Sequence, residues 1–163
     1  MLIPLLFLAQ SLPTTVETAR VQREPLPGVS IAFAVDAQPD EVITALWAED
    51  NFRAVFPTVT ASSTLEETGN TKTVQMTEKF LAFESTYVLV LTLEEGRISY
   101  VEGPDERMTM RGEFAVEPLG DHASKVTYVG CADAGWMLPQ ETLMKAMEDM
   151  APDIAQNTRA LVD

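Results

Sequence analysis

A single cysteine, Cys131, and a single histidine, His122, are all that this 163-residue chain holds of the side chains that most often bind zinc or pair as nucleophile and base. No internal disulfide can form, so the fold must rest on packing, and cysteine usage leaves the redox compartment open. With so few soft ligands a zinc site is not expected. Basic residues are scarce too: 11 Lys and Arg face 25 Asp and Glu, for a formal net charge of −14. The acidic groups are scattered along the chain and form no charged tail. Nucleic acid is therefore a disfavoured partner, because phosphates are recognised by clustered Lys and Arg, and anionic membrane surfaces are disfavoured on the same ground. No apolar run approaches the roughly 20 residues of a transmembrane helix, so no integral membrane span is expected. A G-x-S-x-G elbow, a Gly-rich phosphate loop and internal repeats are all missing. Neither Cys131 nor any serine has a histidine partner evident in the sequence, and His122 sits in a Gly120-Asp121-His122 turn that reads as exposed. Nothing calls for a cofactor.

What the chain does have is apolar material, 46% of its residues, enough for one domain with a substantial core. Leu2 to Ala9 (LIPLLFLA) form an uncharged run, and Ala9-Gln10-Ser11 places small residues where a signal peptidase cuts. No Lys or Arg precedes the run and Pro4 interrupts it, so it reads either as an export signal or as an N-terminal element covering part of the core. A cytoplasmic and a periplasmic or secreted address both stay open. Thr14 to Gly28 carries prolines, mixed charge and no sustained period, as a connecting arm does. The expected division is residues 1–28 as apolar segment and arm, and 29–163 as the packed domain.

In Ser30 to Asp36, Ile31, Phe33 and Val35 alternate with smaller residues, the period of a half-buried strand. Pro39-Asp40-Glu41 then supplies the proline and acids of a helix's first turn, and Val42, Ile43, Leu46 and Trp47 follow at helical spacing. A second short helix is expected from Asp50, as its cap, to Val55, with Pro57 ending it. From Thr58 to Asp133 the pattern changes to strands punctuated by Gly69-Asn70, Glu95-Gly96, Gly103-Pro104 and Gly120-Asp121, a long antiparallel meander. Val74, Met76 and Phe80 share one face there, and Met110, Phe114 and Val116 do the same further on, so the sheet is covered on one side. Tyr87 to Leu93 is apolar on both faces, as a central or doubly covered strand would be. After Pro139, the residues Leu143, Met147, Met150, Ile154 and Leu161 make an apolar helical stripe that must lie on the sheet's dry face. Pro152 falls inside it, and a kink between Glu148 and Pro152 is expected.

This order, with Pro39-Asp40-Glu41-Val42 and Trp47, Asn51-Phe52-Arg53 through Phe56-Pro57, Glu102-Gly103-Pro104, Met110-Arg111-Gly112-Glu113-Phe114, Glu117-Pro118-Leu119-Gly120 and Lys125-Val126-Thr127-Tyr128, resembles the START-like or Bet v 1-like (SRPBCC) superfamily. Within it the likeness is to the branch of polyketide cyclase/dehydrase-type and coenzyme Q-binding proteins. The resemblance spans about Val29 to Val162. It implies an α+β helix-grip fold: a curved antiparallel sheet of about seven strands wrapped around a long C-terminal helix, with two short helices after the first strand. It also implies a cavity between sheet and helix that accepts lipids, quinones, sterols or polyketides. Its motifs are packing and turn motifs, which identify a fold better than an activity.

The residues offer their own argument for a cavity. Pairing Met110–Val116 with Val126–Ala132 turns Met110, Gly112, Phe114, Val116, Val126, Tyr128, Gly130 and Ala132 inward, and the small ones leave space unless neighbours fill it. Met144, Met147, Met150 and Trp136 are adaptable or large neighbours, although methionine at helical spacing is also ordinary core filler. Glu78 follows the inward parity of Met76 and Phe80, and is either a polar anchor or general base on the dry face or a strand-end carboxylate turned to water. Arg53 is a partner for it, a cap on a ligand's polar group, or a surface residue. Tyr87, Tyr100 and Tyr128 each join an apolar ring to one hydroxyl, which suits orienting a quinone or ketone, though buried tyrosines also satisfy backbone carbonyls. The candidate ligand-binding set is Met76, Glu78, Phe80, Tyr87, Leu89, Tyr100, Met110, Phe114, Tyr128, Trp136, Leu143, Met144 and Met147, with the mouth near Gly103 and Trp136; no catalytic residue is assigned. The favoured expectation is non-catalytic binding or transport of an apolar small molecule or lipid. A polyketide cyclase or aromatase-like enzyme is the alternative, and a ribosome-binding module like the toxins of this branch is opposed by the acidic charge.

Overall fold

A computed structural model describes residues 12–48, 51–104, 106, 108–135 and 138–163. The chain runs through β1 (Glu17–Arg23), β2 (Leu26–Val35), α1 (Pro39–Trp47), α2 (Asn51–Val55), β3 (Val59–Thr68), β4 (Thr71–Phe80), β5 (Phe83–Glu94), β6 (Arg97–Glu102), β7 (Thr109–Pro118), β8 (Ser124–Asp133), α3 (Gln140–Asp149) and α4 (Ala151–Ala160). The eight strands form one curved antiparallel sheet in the order β1-β2-β8-β7-β6-β5-β4-β3. The meander β3 to β8 thus returns to pair with β2. The Leu2–Ala9 run, the Asp50 cap and Trp136 lie outside the described residues.

Two expectations need correction. The sheet has eight strands and not about seven, because Glu17–Arg23, which reads as part of a connecting arm, is an edge strand paired with β2. All but one of its side chains are exposed, so it carries no apolar alternation to betray it. Accordingly β2 starts at Leu26, upstream of Ser30. The second correction concerns the long C-terminal helix, which is divided into two, the break falling within the Glu148–Pro152 span where the kink is expected. They meet at Met150, with Pro152 in the first turn of α4, where a missing N–H costs least.

Elsewhere the local chemistry explains the elements well. Pro39 sits in the first turn of α1, and the Glu41 carboxylate accepts from the Gln38 backbone N–H at 2.8 Å. Gly69 and Gly96 take φ of +60° and +67° at the β3–β4 and β5–β6 turns. The β4–β5 turn lacks such a signal: Leu81 itself adopts φ +54°, a conformation that ordinarily favours glycine, while 66% exposed. β3 is the other sheet edge, and its register slips between Val59 and Ala61 and again between Thr64 and Glu66.

The core lies on the concave face. Val29, Ile31, Phe33 and Val35 of β2, Ile98, Phe114, Val116 and Val126 of the meander, and Val42, Leu46, Val55 and Ile154 of the helices are almost wholly buried there. Each such side chain contributes about 1.5–3 kcal/mol relative to exposure. Polar ties fix the helices over this core. Asn51 Nδ2 donates to the Ala45 carbonyl at 2.9 Å and Asn157 Nδ2 to the Val55 carbonyl at 3.1 Å, joining α1, α2 and α4. The buried Lys72 ammonium donates to the Trp47 carbonyl at 2.6 Å and lies 4.4 Å from the Trp47 ring, so it caps the C-terminus of α1. Arg20, opposite the inward Val29, reaches from edge strand β1 to α3 and donates to Glu141 at 2.7 Å through two nitrogens and to Glu148. The two carboxylates raise the Arg20 pKa, Glu141 most, and the Arg20 guanidinium lowers that of Glu141. No described helix is long and apolar enough to cross a membrane.

Candidate ligand cavity

Between the sheet and the C-terminal helices the interior is not filled. A cavity of about 200 Å³ has Met76, Leu89, Tyr100, Met110 and Tyr128 as its floor, Leu143 and Met147 of α3 with Met150 and Ile154 as its roof, and Phe52 and Phe56 at one end. It reaches the surface beside the β4–β5 turn, where Phe80, Phe83 and Glu84 line it and Phe83 is 51% exposed. Met108, just before β7, lines it as well. Upstream of it, Gly103 N–H donates to the Val88 carbonyl at 2.8 Å and Glu106 Oε1 accepts from Val88 N–H at 2.7 Å, which ties these residues to β5.

The floor owes its shape to two glycines. The expected register holds, with Met110 opposite Ala132, Gly112 opposite Gly130, Phe114 opposite Tyr128 and Val116 opposite Val126. A Cβ on Gly112 would run into the Tyr100 ring, and one on Gly130 would lie 2.5 Å from the Tyr128 hydroxyl oxygen. The space above the glycine pair is therefore occupied by two tyrosine rings, whose hydroxyls share a 2.6 Å hydrogen bond. Both tyrosines are buried, and burial is the largest cause of the upward shift in each pKa.

Glu78 provides the other polar feature. Its carboxylate lines the cavity, with Oε1 accepting from the Thr58 hydroxyl at 2.5 Å and Oε2 from the Tyr87 hydroxyl at 3.1 Å. Tyr87 is the diagonal cross-strand neighbour of Glu78, since Met76 pairs with Tyr87 and Glu78 with Ser85. Its pKa is raised by burial first and by the Glu78 charge second. Glu78 thus lines the cavity half-buried, with both carboxylate oxygens partnered. Arg53 is an exposed residue of α2, and His122 is exposed in its turn. Cys131 packs against Leu26 and Val129 in a small cluster of its own and also contributes to the cavity lining, and desolvation raises its thiol pKa.

Of the candidate set, Met76, Glu78, Phe80, Tyr87, Leu89, Tyr100, Met110, Tyr128, Leu143 and Met147 are brought together around this cavity. Phe114 and Met144 are not among its lining residues. Phe114 points inward but is covered by α2, its ring 5.8 Å from Phe52, 6.0 Å from Phe56 and 4.8 Å from Tyr128. Met144 follows Leu143 by one position, about 100° around the helix, and is buried in the core. Phe52, Phe56, Phe83, Met108 and Leu138 also line the cavity and were absent from the set. The i, i+4 spacing of Phe52 and Phe56 was a usable signal, as was the parity Phe83 shares with Tyr87 and Leu89; Met108 and Leu138 lie outside any apolar period.

No protein-family model matches the chain, and no curated protein matches it in sequence. Solved structures do match in shape. A STAR-related lipid transfer protein from Xanthomonas axonopodis superposes with a TM-score of 0.75 at 19% identity, covering 93% of this chain and 97% of that one. Human StAR-related lipid transfer protein 5 gives 0.72 at 14% identity, covering 93% and 84%. The Zhui aromatase/cyclase from Streptomyces gives 0.62 at 15% identity, covering 91% and 92%. The architecture is α+β, an antiparallel sheet closed by C-terminal helices, and it is the START-like (SRPBCC) fold.

Proposed function

We propose that this chain binds a small apolar molecule non-covalently in the cavity between sheet and α3/α4, and holds or carries it. The observation that supports this most is the open, largely hydrocarbon- and aromatic-lined space of about 200 Å³ between the sheet and the C-terminal helices. Native interiors leave few voids larger than a water, and an apolar cavity of about 150 Å³ is enough to bind benzene. Lipid transfer by proteins of the same fold agrees with this reading. Ligand contacts are assigned to Met76, Glu78, Phe80, Tyr87, Leu89, Tyr100, Met110, Tyr128, Leu143 and Met147, with Phe52 and Phe56 added. Native mass spectrometry of the purified protein, followed by organic extraction, tests it. A released apolar molecule of matching size is expected; a protein that neither carries nor takes up any such molecule would remove the proposal.

A second reading, an aromatase/cyclase-like enzyme, draws support from one observation. The hydrogen-bonded Glu78–Tyr87 pair lies beside open space, where a carboxylate is able to move a proton on a bound ketone. Turnover of a poly-ketone that is lost in Glu78→Gln while binding persists would favour it over carriage alone.

A further inference from the structure

The polar groups around the cavity are unevenly matched. A carboxylate has roughly four lone-pair sites. Thr58 and Tyr87 take one on each oxygen of Glu78, so acceptor capacity remains on a side chain that lines the cavity. Tyr87 has spent its only proton on Glu78 and keeps lone pairs. In the Tyr100–Tyr128 pair one hydroxyl proton is used between the rings, which leaves one to offer. Among the described lining residues the charged groups are Glu78 and Glu84, both acidic, with no Lys, Arg or His. The Glu78 charge is felt across the floor, since it contributes to the raised pKa values of Tyr87, Tyr100 and Tyr128.

Resting on the binding reading above, we propose that the cavity selects a small neutral or cationic amphiphile that presents one hydroxyl or amino donor to Glu78, and rejects carboxylate-bearing molecules of equal size. An alcohol has a proton for Glu78 and lone pairs that the free proton of the tyrosine pair could use. A carboxylate would bring a second negative charge into a space of low dielectric, where like charges cost most. The acidic rim residue Glu84 and the net charge of −14 oppose its approach as well.

Calorimetric or ligand-detected NMR titration of the full chain with matched probes tests this. Ethylbenzene, the isomers 2-phenylethanol and benzyl methyl ether, phenethylamine and phenylacetate share one ring and differ in the polar group. The alcohol is expected to bind about tenfold to a hundredfold tighter than its ether isomer, the worth of one hydrogen bond to a charged acceptor. Phenethylamine should bind well and phenylacetate weakest of the series. In Glu78→Gln the amine-to-carboxylate preference should fall by about tenfold or more, while the alcohol keeps part of its advantage through the amide oxygen. Should that variant fail to fold, the wild-type ratios decide alone. Ether and alcohol binding equally, or phenylacetate matching the amine, would overturn the donor preference and leave the cavity reading standing. Failure of every probe, ethylbenzene included, would overturn both.

Discussion

Raising the pH should unfold this protein through its tyrosines. The chain has three, Tyr87, Tyr100 and Tyr128, and all three are buried at the cavity with pKa values raised above the ordinary value near 10, chiefly by burial. A raised acid pKa means that the folded state keeps protons which the unfolded chain has already lost. Stability is then untouched below pH of about 10 and falls as pH rises above it. Each proton contributes about 1.4 kcal/mol per pH unit, so three together give a slope of roughly 4 kcal/mol per unit. A domain of ordinary stability, about 5–15 kcal/mol, is exhausted about one to four pH units beyond that point. Because no other tyrosine exists, the near-ultraviolet tyrosinate band reports on this site alone. Its absorbance should stay flat past pH 10 and then rise in one cooperative step that coincides with loss of far-ultraviolet circular dichroism. A gradual rise centred near pH 10 with native dichroism throughout would refute the burial of these hydroxyls.

Neighbouring positions on α3 should respond differently to truncation. Met144→Ala is expected to cost about 2–5 kcal/mol in chemical denaturation, whereas Leu143→Ala and Met147→Ala, which enlarge an existing space, should cost less; equal losses would contradict the cavity. Gly130→Ala places a methyl against the Tyr128 hydroxyl and the end of Met147, so it should lower the melting temperature and shrink ligand capacity, and an unchanged protein would show that the floor is not tight there. Cys131, buried with a raised pKa, should react with a thiol reagent only as fast as the protein opens, which a comparison of labelling rates with and without denaturant checks.

Much of the architecture could be read beforehand because its signals are local and periodic. The alternation of Met110, Gly112, Phe114 and Val116 against Val126 to Ala132 fixes both parity and register of β7 and β8, and the same parity turned Glu78 inward. The stripe Leu143, Met147, Met150, Ile154 became the cavity roof for the same reason. What escaped depends on tertiary context. β1 is stabilised by its ladder to β2 and by the reach of Arg20 to α3, and neither leaves an apolar pattern in ETARVQR. Leu81 forms a turn with a residue that does not announce one. Phe114 looked like a lining residue until Phe52 of α2 and Phe56 just beyond it covered it, since parity gives a direction but not what lies in front of it. Glu78 could only be identified as a partnered carboxylate once Thr58 and Tyr87, distant in sequence, were placed beside it.

The break at Met150 divides the C-terminal segment into two units of unequal cooperativity. α4 is welded to the rest of the domain: Ala151, Ile154, Ala155 and Thr158 are buried, Asn157 bonds to α2, and Arg159 Nε donates to the Ala34 carbonyl at 3.0 Å. α3 fully buries Met144 alone; Leu143 and Met147 are only partly buried over the cavity, and its polar ties are Gln140 to the Ala132 carbonyl and Arg20 to Glu141 and Glu148. Interrupting the helix at a proline lets the weaker half undergo excursions that do not propagate into the stronger one. Amide hydrogen exchange should therefore be faster in α3 than in α4, and faster still in α3 at high salt, where exposed ion pairs are screened. Equal protection across residues 140–160 would mean that the two helices open together.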